Sequence, residues 1–186
     1  MSQTILTPDE TAGLGEIKIA HPAGTFALTP ASRISIHAIV KYRHLLSGRG
    51  IDWGSGSGCL SIVAAKVPAV NQIVGLEISA ANVQIAQENA VSNGMGDKIV
   101  FMQSDSYHPL MDSQRRVLEG YKGQVSFLLA NPPSSEGDDG FEYRRIVLQG
   151  GRAYLRTGGI VFLSISAQYG SQRIAQLSHE GAGYAH

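Results

Sequence analysis

The chain has 186 residues, 43% of them hydrophobic, which suits one domain with a proper core. Fifteen basic and fifteen acidic residues cancel, so there is no global electrostatic footprint for nucleic acid, although a local basic patch is compatible with that balance. The single cysteine, Cys59, excludes an internal disulfide and fits a reducing compartment. No run of about 18 apolar residues is present to span a membrane. Residues 1–10 are too polar and acidic for a signal peptide, and a cytoplasmic location is the expectation.

Residues 1–30 read as an N-terminal extension. Within it, 1–15 look loosely ordered, and 17–28 form two short extended pieces about His21-Pro22-Ala23-Gly24. Residues 31–186 read as one domain without repeat, linker or low-complexity tract. A helix is expected over 32–46, with Ile36, Ile39 and Val40 at helical spacing, Ser32 as its cap and Ser47-Gly48 as its stop. Strands and helices then alternate. Strands are expected at 49–53, 73–76, 98–102, 125–130 and 160–165. Helices are expected at 60–66, at 79–91 with Ser79 as cap, at 141–155 with a stop at Gly158-Gly159, and at 168–178. The unbroken apolar run 125–130 is what a strand covered on both faces shows. This alternation implies a parallel α/β sheet, doubly wound with right-handed crossovers, whose ligands sit beyond the carboxyl ends of the strands.

The motifs fall at those ends. The first strand runs into Asp52-Trp53-Gly54-Ser55-Gly56-Ser57-Gly58-Cys59. Three alternate glycines permit a tight turn that a ligand can approach closely, with free main-chain N–H groups as donors. The spacing is G-x-G-x-G, and Cys59 occupies the position of the third glycine of a dinucleotide fingerprint. Asp52 would repel a pyrophosphate and suits a cation such as an ammonium group. The bland alternative is a glycine-rich turn. The second strand ends in Glu77-Ile78, where an acceptor-only carboxylate can take both hydroxyls of a ribose; an ordinary acid at a helix start is the rival. The third ends in Asp105-Ser106, equally readable as a local turn. The fourth ends in Asn131-Pro132-Pro133-Ser134. The Asn131 amide offers donor and acceptor together, and the two prolines stiffen its presentation.

The glycine loop resembles the first motif of the class I S-adenosylmethionine-dependent methyltransferases. The Asn-Pro-Pro loop is similar to that of their amino-methyltransferases. Residues 140–147 and 154–159 resemble the protein glutamine methyltransferases that modify release factors or a ribosomal protein. The resemblance implies a Rossmann-like fold and S-adenosylmethionine as cofactor. Asp52, Gly54, Ser55, Gly56 and Gly58 would hold the methionine part, Glu77 and Ile78 the ribose, and Asp105 and Ser106 the adenine. Asn131 would contact the cofactor and, together with Pro132 and Pro133, would orient the acceptor.

Three departures stand out. Ser134 occupies the place of an aromatic residue, and both a separate helical substrate domain before the catalytic one and the family's C-terminal antiparallel strands are expected to be absent. With strand order 3-2-1-4-5, strand five is an edge, and the expectation is either that the sequence is a piece of a longer protein truncated at its C-terminus or that another chain covers the edge, as in a homo-oligomer. The favoured partner is a protein with an accessible glutamine. The alternatives are an exocyclic base amine of structured RNA or DNA, an inactive methyltransferase-like binding domain, and a nicotinamide oxidoreductase, which Asp52 and the Asn-Pro-Pro loop oppose. Glu136, Asp138 and Asp139 are expected to be a solvated turn and helix start rather than a metal site. His21, His37, His44 and His108 lack metal-ligand spacing. Arg144 and Arg145 are expected on a solvated helix face.

Overall fold

In a computed structural model, residues 2–136, 139–180 and 184 are described. The sheet has six strands: β3 (Gly48–Trp53), β4 (Val70–Glu77), β5 (Ile99–Asp105), β6 (His108–Pro109), β7 (Val125–Ala130) and β8 (Leu155–Leu163), in the order β6-β5-β4-β3-β7-β8. All neighbours are parallel except the two-residue β6, which folds back on β5. The five long strands therefore have the expected order 3-2-1-4-5. Side chains alternate across β7: Phe127 and Leu129 join one core cluster, Leu128 and Ala130 the other. Both faces of the sheet are thus buried, which is why β7 is apolar throughout. Among the described residues no helix is long and apolar enough to cross a membrane.

The extended piece from Ile17 and the turn after it stand as expected, but residues 1–15 are not loosely ordered throughout. β1 (Gln3–Leu6) pairs with β2 (Ile17–Ala20) as an antiparallel hairpin. Leu6, Ile17 and Ile19 are fully buried in the main core. Only a few alternating apolar residues are involved, too short a pattern to read before their partners are known. Helix α3 (Ala80–Ser92) supplies β2 with a substitute strand. Asn89 accepts from Ala20 N–H at 2.9 Å and donates to Ala20 O at 3.0 Å, and Asn93 accepts from Lys18 N–H at 3.0 Å and donates to Lys18 O at 2.7 Å.

Other boundaries shift for local reasons. α1 (Pro30–Lys41) is capped by Thr29, with Ser32 as the reciprocal partner of a capping box and Pro30 in the first turn. The Ser79 cap of α3 accepts from Asn82 N–H as expected. α2 covers Cys59–Ala65. α5 (Glu142–Gly151) stops early, and Gly158-Gly159 lies inside β8, where the register jumps from Val125↔Leu155 to Phe127↔Ile160. A short polar helix, α4 (Asp112–Glu119), was not expected; it buries only Leu118. α6 (Ser171–Glu180) follows a 3-10 turn at Ala167–Tyr169.

Asn89 also donates to Ser57 O at 3.0 Å, so one buried amide joins the hairpin, α3 and the glycine loop. Asn89→Ala leaves these main-chain groups without partners. Each buried orphan costs about 1–3 kcal/mol, so a loss of roughly 2–5 kcal/mol in urea unfolding is expected. A loss under about 0.5 kcal/mol, the size of an ordinary surface change, contradicts this account.

Candidate active site

The strands that carry the motifs end level with one another. Register pairs Trp53 with Leu76 and Ala130, and Glu77 with Gln103. The glycine loop, Glu77, the turn after β5 and the Asn131 loop therefore share the carboxyl edge of the sheet, around the switch in strand order between β3 and β7.

Asp52 is 1% exposed. Its Oδ2 accepts from Ser61 N–H at 3.0 Å and from the Ser61 hydroxyl at 2.6 Å. Its Oδ1 is buried and has no partner, as are the hydroxyls of Ser55 and Ser57. Burial pushes the Asp52 carboxyl from 3.8 up to about 7; the Ser61 bonds oppose this, and the charge of Glu77 adds to it. Gly54, Gly56 and Gly58 all have positive φ, at 68°, 53° and 82°. A side chain at Gly58 would also strike Phe101 and Ala86, while at Gly54 nothing stands within 4 Å.

The loop amides are not the free donors that the glycine pattern suggested. Gly54 and Ser55 N–H both donate to Leu76 O, Gly58 N–H donates to Ser55 O, and Gly56 N–H donates to Glu77 Oε2 at 2.9 Å. A phosphate would find few donors here. An unpartnered carboxylate oxygen with two unpartnered hydroxyls fits a ligand that carries a cation and hydroxyl or carboxyl groups, as S-adenosylmethionine does. Glu77 Oε1 accepts from Ser79 N–H at 2.8 Å, so both oxygens hold main-chain amides, and each keeps a second lone pair for a ribose hydroxyl. Ile78 is exposed on the rim.

Asp105 is exposed and pairs with His108 across the tight β5–β6 turn. Ser106 has φ 52°, an unusual conformation for a residue with a side chain. Its carbonyl accepts from Ser104 at 2.6 Å, and its hydroxyl accepts from Trp53 Nε1 at 2.9 Å.

Trp53 thus links the ends of β3 and β5, and its ring lies 6.3 Å from that of Tyr143 on α5. Phe26 was also missed from sequence. It lies between β2 and α1, bonds to Asn82 through its N–H at 2.9 Å, and packs its half-exposed ring where a Gly56 side chain would be. Trp53 adjoins the loop in sequence, but its link to Ser106 and its approach to Tyr143 come from the fold, and only the fold brings Phe26 to the loop.

Asn131 is half-buried, Pro132 buried, and Pro133 and Ser134 exposed. The Ser134 hydroxyl accepts from Tyr169 OH at 3.2 Å. Arg144 overturns the reading of a solvated helix face: it is buried and bonds to main-chain carbonyls of this loop. Arg145 pairs with Asp139 and Glu180. Asp139 also pairs with Arg173 at 2.7 Å and accepts from Phe141 N–H, and these donors hold its carboxyl well below the usual carboxylate range. Its oxygens are therefore committed to cations of the chain itself, and Asp138 lies outside the described residues.

The family model of the methyltransferase small domain matches residues 16–180. The chain is 24% identical over 175 residues to the release factor glutamine methyltransferase of Thermodesulfovibrio yellowstonii, covering 80% of this chain and 58% of that protein. It is 25% identical over 133 residues to the ribosomal protein uL3 glutamine methyltransferase of Bordetella pertussis, covering 63% and 43%. The chain spans about half the length of such relatives. The fold matches the N-terminal domain of human METTL16, solved in complex with SAH, with TM-score 0.63 and 19% identity over 94% of this chain and 69% of that one.

The state of Asp52 gives a pH signature. Between its ordinary value of 3.8 and about 7 the folded protein keeps a proton that the unfolded chain has lost, so stability falls as pH rises through that window. Asp52→Asn flattens this slope in urea unfolding across pH 4–8. A cation beside Oδ1 drives the proton off, so calorimetric titration with S-adenosylmethionine near pH 6.5 releases protons, and its heat varies with the buffer's ionisation enthalpy. Equal heats in all buffers refute the contact.

Proposed function

We propose that the chain, which belongs to the methyltransferase small domain family, transfers a methyl group from S-adenosylmethionine to the side-chain amide nitrogen of a glutamine in a protein. The observation that carries this reading is the placement of the Asn131-Pro132-Pro133 loop at the end of β7, next to β3 and the glycine loop with its unpartnered Asp52 oxygen. The names of the curated relatives support a glutamine acceptor, and the lone, buried, free Cys59 suits the cytoplasm.

Bound S-adenosylmethionine supplies an electrophilic methyl group on a sulfonium. Asp52 Oδ1, freed of its proton, holds the ammonium of the methionine part, with Ser55 and the turn at Gly54, Gly56 and Gly58 around it. Glu77 takes the ribose hydroxyls on its spare lone pairs. Ile78, Asp105 and Ser106 border the adenine. Asn131 Oδ1 and the second lone pair of Pro132 O accept the two N–H groups of the substrate amide. Held so, the nitrogen would present its lone pair to the methyl group that bound S-adenosylmethionine supplies. Alignment of this kind can contribute several powers of ten in rate. Transfer would break the methyl group's bond to sulfur, which leaves as a neutral thioether, and the nitrogen would then shed one proton to water without a side-chain base.

Asn131→Ala should lower kcat on a release factor by about 100-fold or more while S-adenosylmethionine affinity stays within about threefold, because the lost contacts act on the acceptor. Label that passes to structured RNA and not to the protein overturns the acceptor assignment. We also infer self-association along β8, the last strand of the sheet. An apolar groove of about 540 Å³ runs between β8 and α1, beside the exposed Ile34, Tyr42 and Leu45. Light scattering should give a dimer that Ile34→Lys dissolves; a monomer at all concentrations rejects it.

A further inference from the structure

Arg144 on α5 is 4% exposed. A guanidinium taken out of water is ordinarily compensated by a carboxylate. None of the described carboxylates forms an ion pair with it. Its donors go to carbonyls: Nε to Ser164 O at 3.2 Å, Nη1 to Pro133 O and to Gly140 O at 3.1 Å each, and Nη2 to Pro132 O at 3.3 Å. These four acceptors lie on three separate pieces of chain, namely the loop after β7, the approach to α5 and the residue after β8.

Two of the four belong to the prolines that follow Asn131. A proline has no N–H, so its carbonyl is its only main-chain handle for a hydrogen bond. No other side chain carries five donors in one rigid plane, and lysine, with three on a single rotating nitrogen, cannot span carbonyls so far apart. The sulfonium pocket is elsewhere: Arg144 touches none of Asp52, the loop glycines or Glu77.

We propose that Arg144 is the positioning residue of the acceptor site, setting the angle of the Pro132 and Pro133 carbonyls and, through them, of Asn131. The inference rests on the methyltransferase reading above. Its bonds to Ser164 and Gly140 anchor the guanidinium to the body of the domain, and its bonds to the prolines carry that fixed position out to the loop. A misplacement of about 1 Å at a reacting nitrogen costs on the order of 100-fold in rate. Arg144 therefore acts on kcat and leaves cofactor binding alone.

The test compares Arg144→Lys and Arg144→Met with the wild type, well below the melting temperature of each. Trp53 is the chain's single tryptophan and stands at the end of β3, so its fluorescence reports S-adenosylmethionine binding without any acceptor. Both variants are expected to bind S-adenosylmethionine within about threefold of the wild type. In Arg144→Met, kcat on a release factor is expected to fall about 100-fold, with the acceptor KM changed much less. Arg144→Lys recovers part of the rate through the donors it retains. Amide exchange at Ser134 and Ser135 should quicken in Arg144→Met while exchange at Gly56 and Ser79 does not. A kcat within about threefold of wild type in Arg144→Met overturns the proposal. So does a loss of cofactor affinity that matches the loss of rate, which marks a general structural role. If Arg144→Met does not fold, Arg144→Lys decides: a kcat equal to that of the wild type, or a loss of cofactor affinity that matches its loss of rate, overturns the proposal. Wild-type protein that binds S-adenosylmethionine and methylates no acceptor overturns the functional reading itself, and the proposal with it.

Discussion

The turn from β3 into α2 can be made only by a backbone free of side chains at three alternate positions. Gly54, Gly56 and Gly58 all take left-handed angles, and two of them lie so close to Phe26, Phe101 and Ala86 that a methyl group would not fit. The loop that results is closed on itself. Its amides bind Leu76 O, Ser55 O and the Glu77 carboxylate, so Glu77 is a brace of the turn before it is anything else. Every other part of the site is placed relative to this turn.

Electrostatics separates the two halves of the site. Beside the glycine loop an acid is buried with one oxygen unpartnered, an arrangement that costs stability and that a neighbouring cation would relieve. Beside the Asn131 loop a cation is buried among carbonyls and is fully committed to them. The first group can bind; the second can only hold. The two buried charges stand on opposite sides of the switch point, Asp52 on β3 and Arg144 beyond β7.

The hairpin at the N-terminus belongs to the same construction. Asn89 reaches from α3 to the main chain of β2 and to Ser57 O in the glycine loop. Phe26, in the connection that follows β2, then lies against Gly56. A segment with little pattern of its own is ordered by hydrogen bonds and burial that the rest of the domain offers, and it carries an aromatic ring to the edge of the site.

The order of the long strands and the gathering of Asp52, Glu77 and Asn131 at the carboxyl ends of those strands were legible in the sequence. Each depends on local chemistry: apolar runs of strand length, glycines that permit one turn, and acids or an amide just past a strand's end. Tertiary structure alone decided the rest. Leu6, Ile17 and Ile19 are core only because α3 lies beside them, and Gly158-Gly159 sits inside a strand because β7 pairs on both sides of it. Arg144 has the sequence of a solvated helix position and the surroundings of a buried one. Nothing along the chain marks it, because the four carbonyls it binds come from three segments that meet only when the sheet has formed.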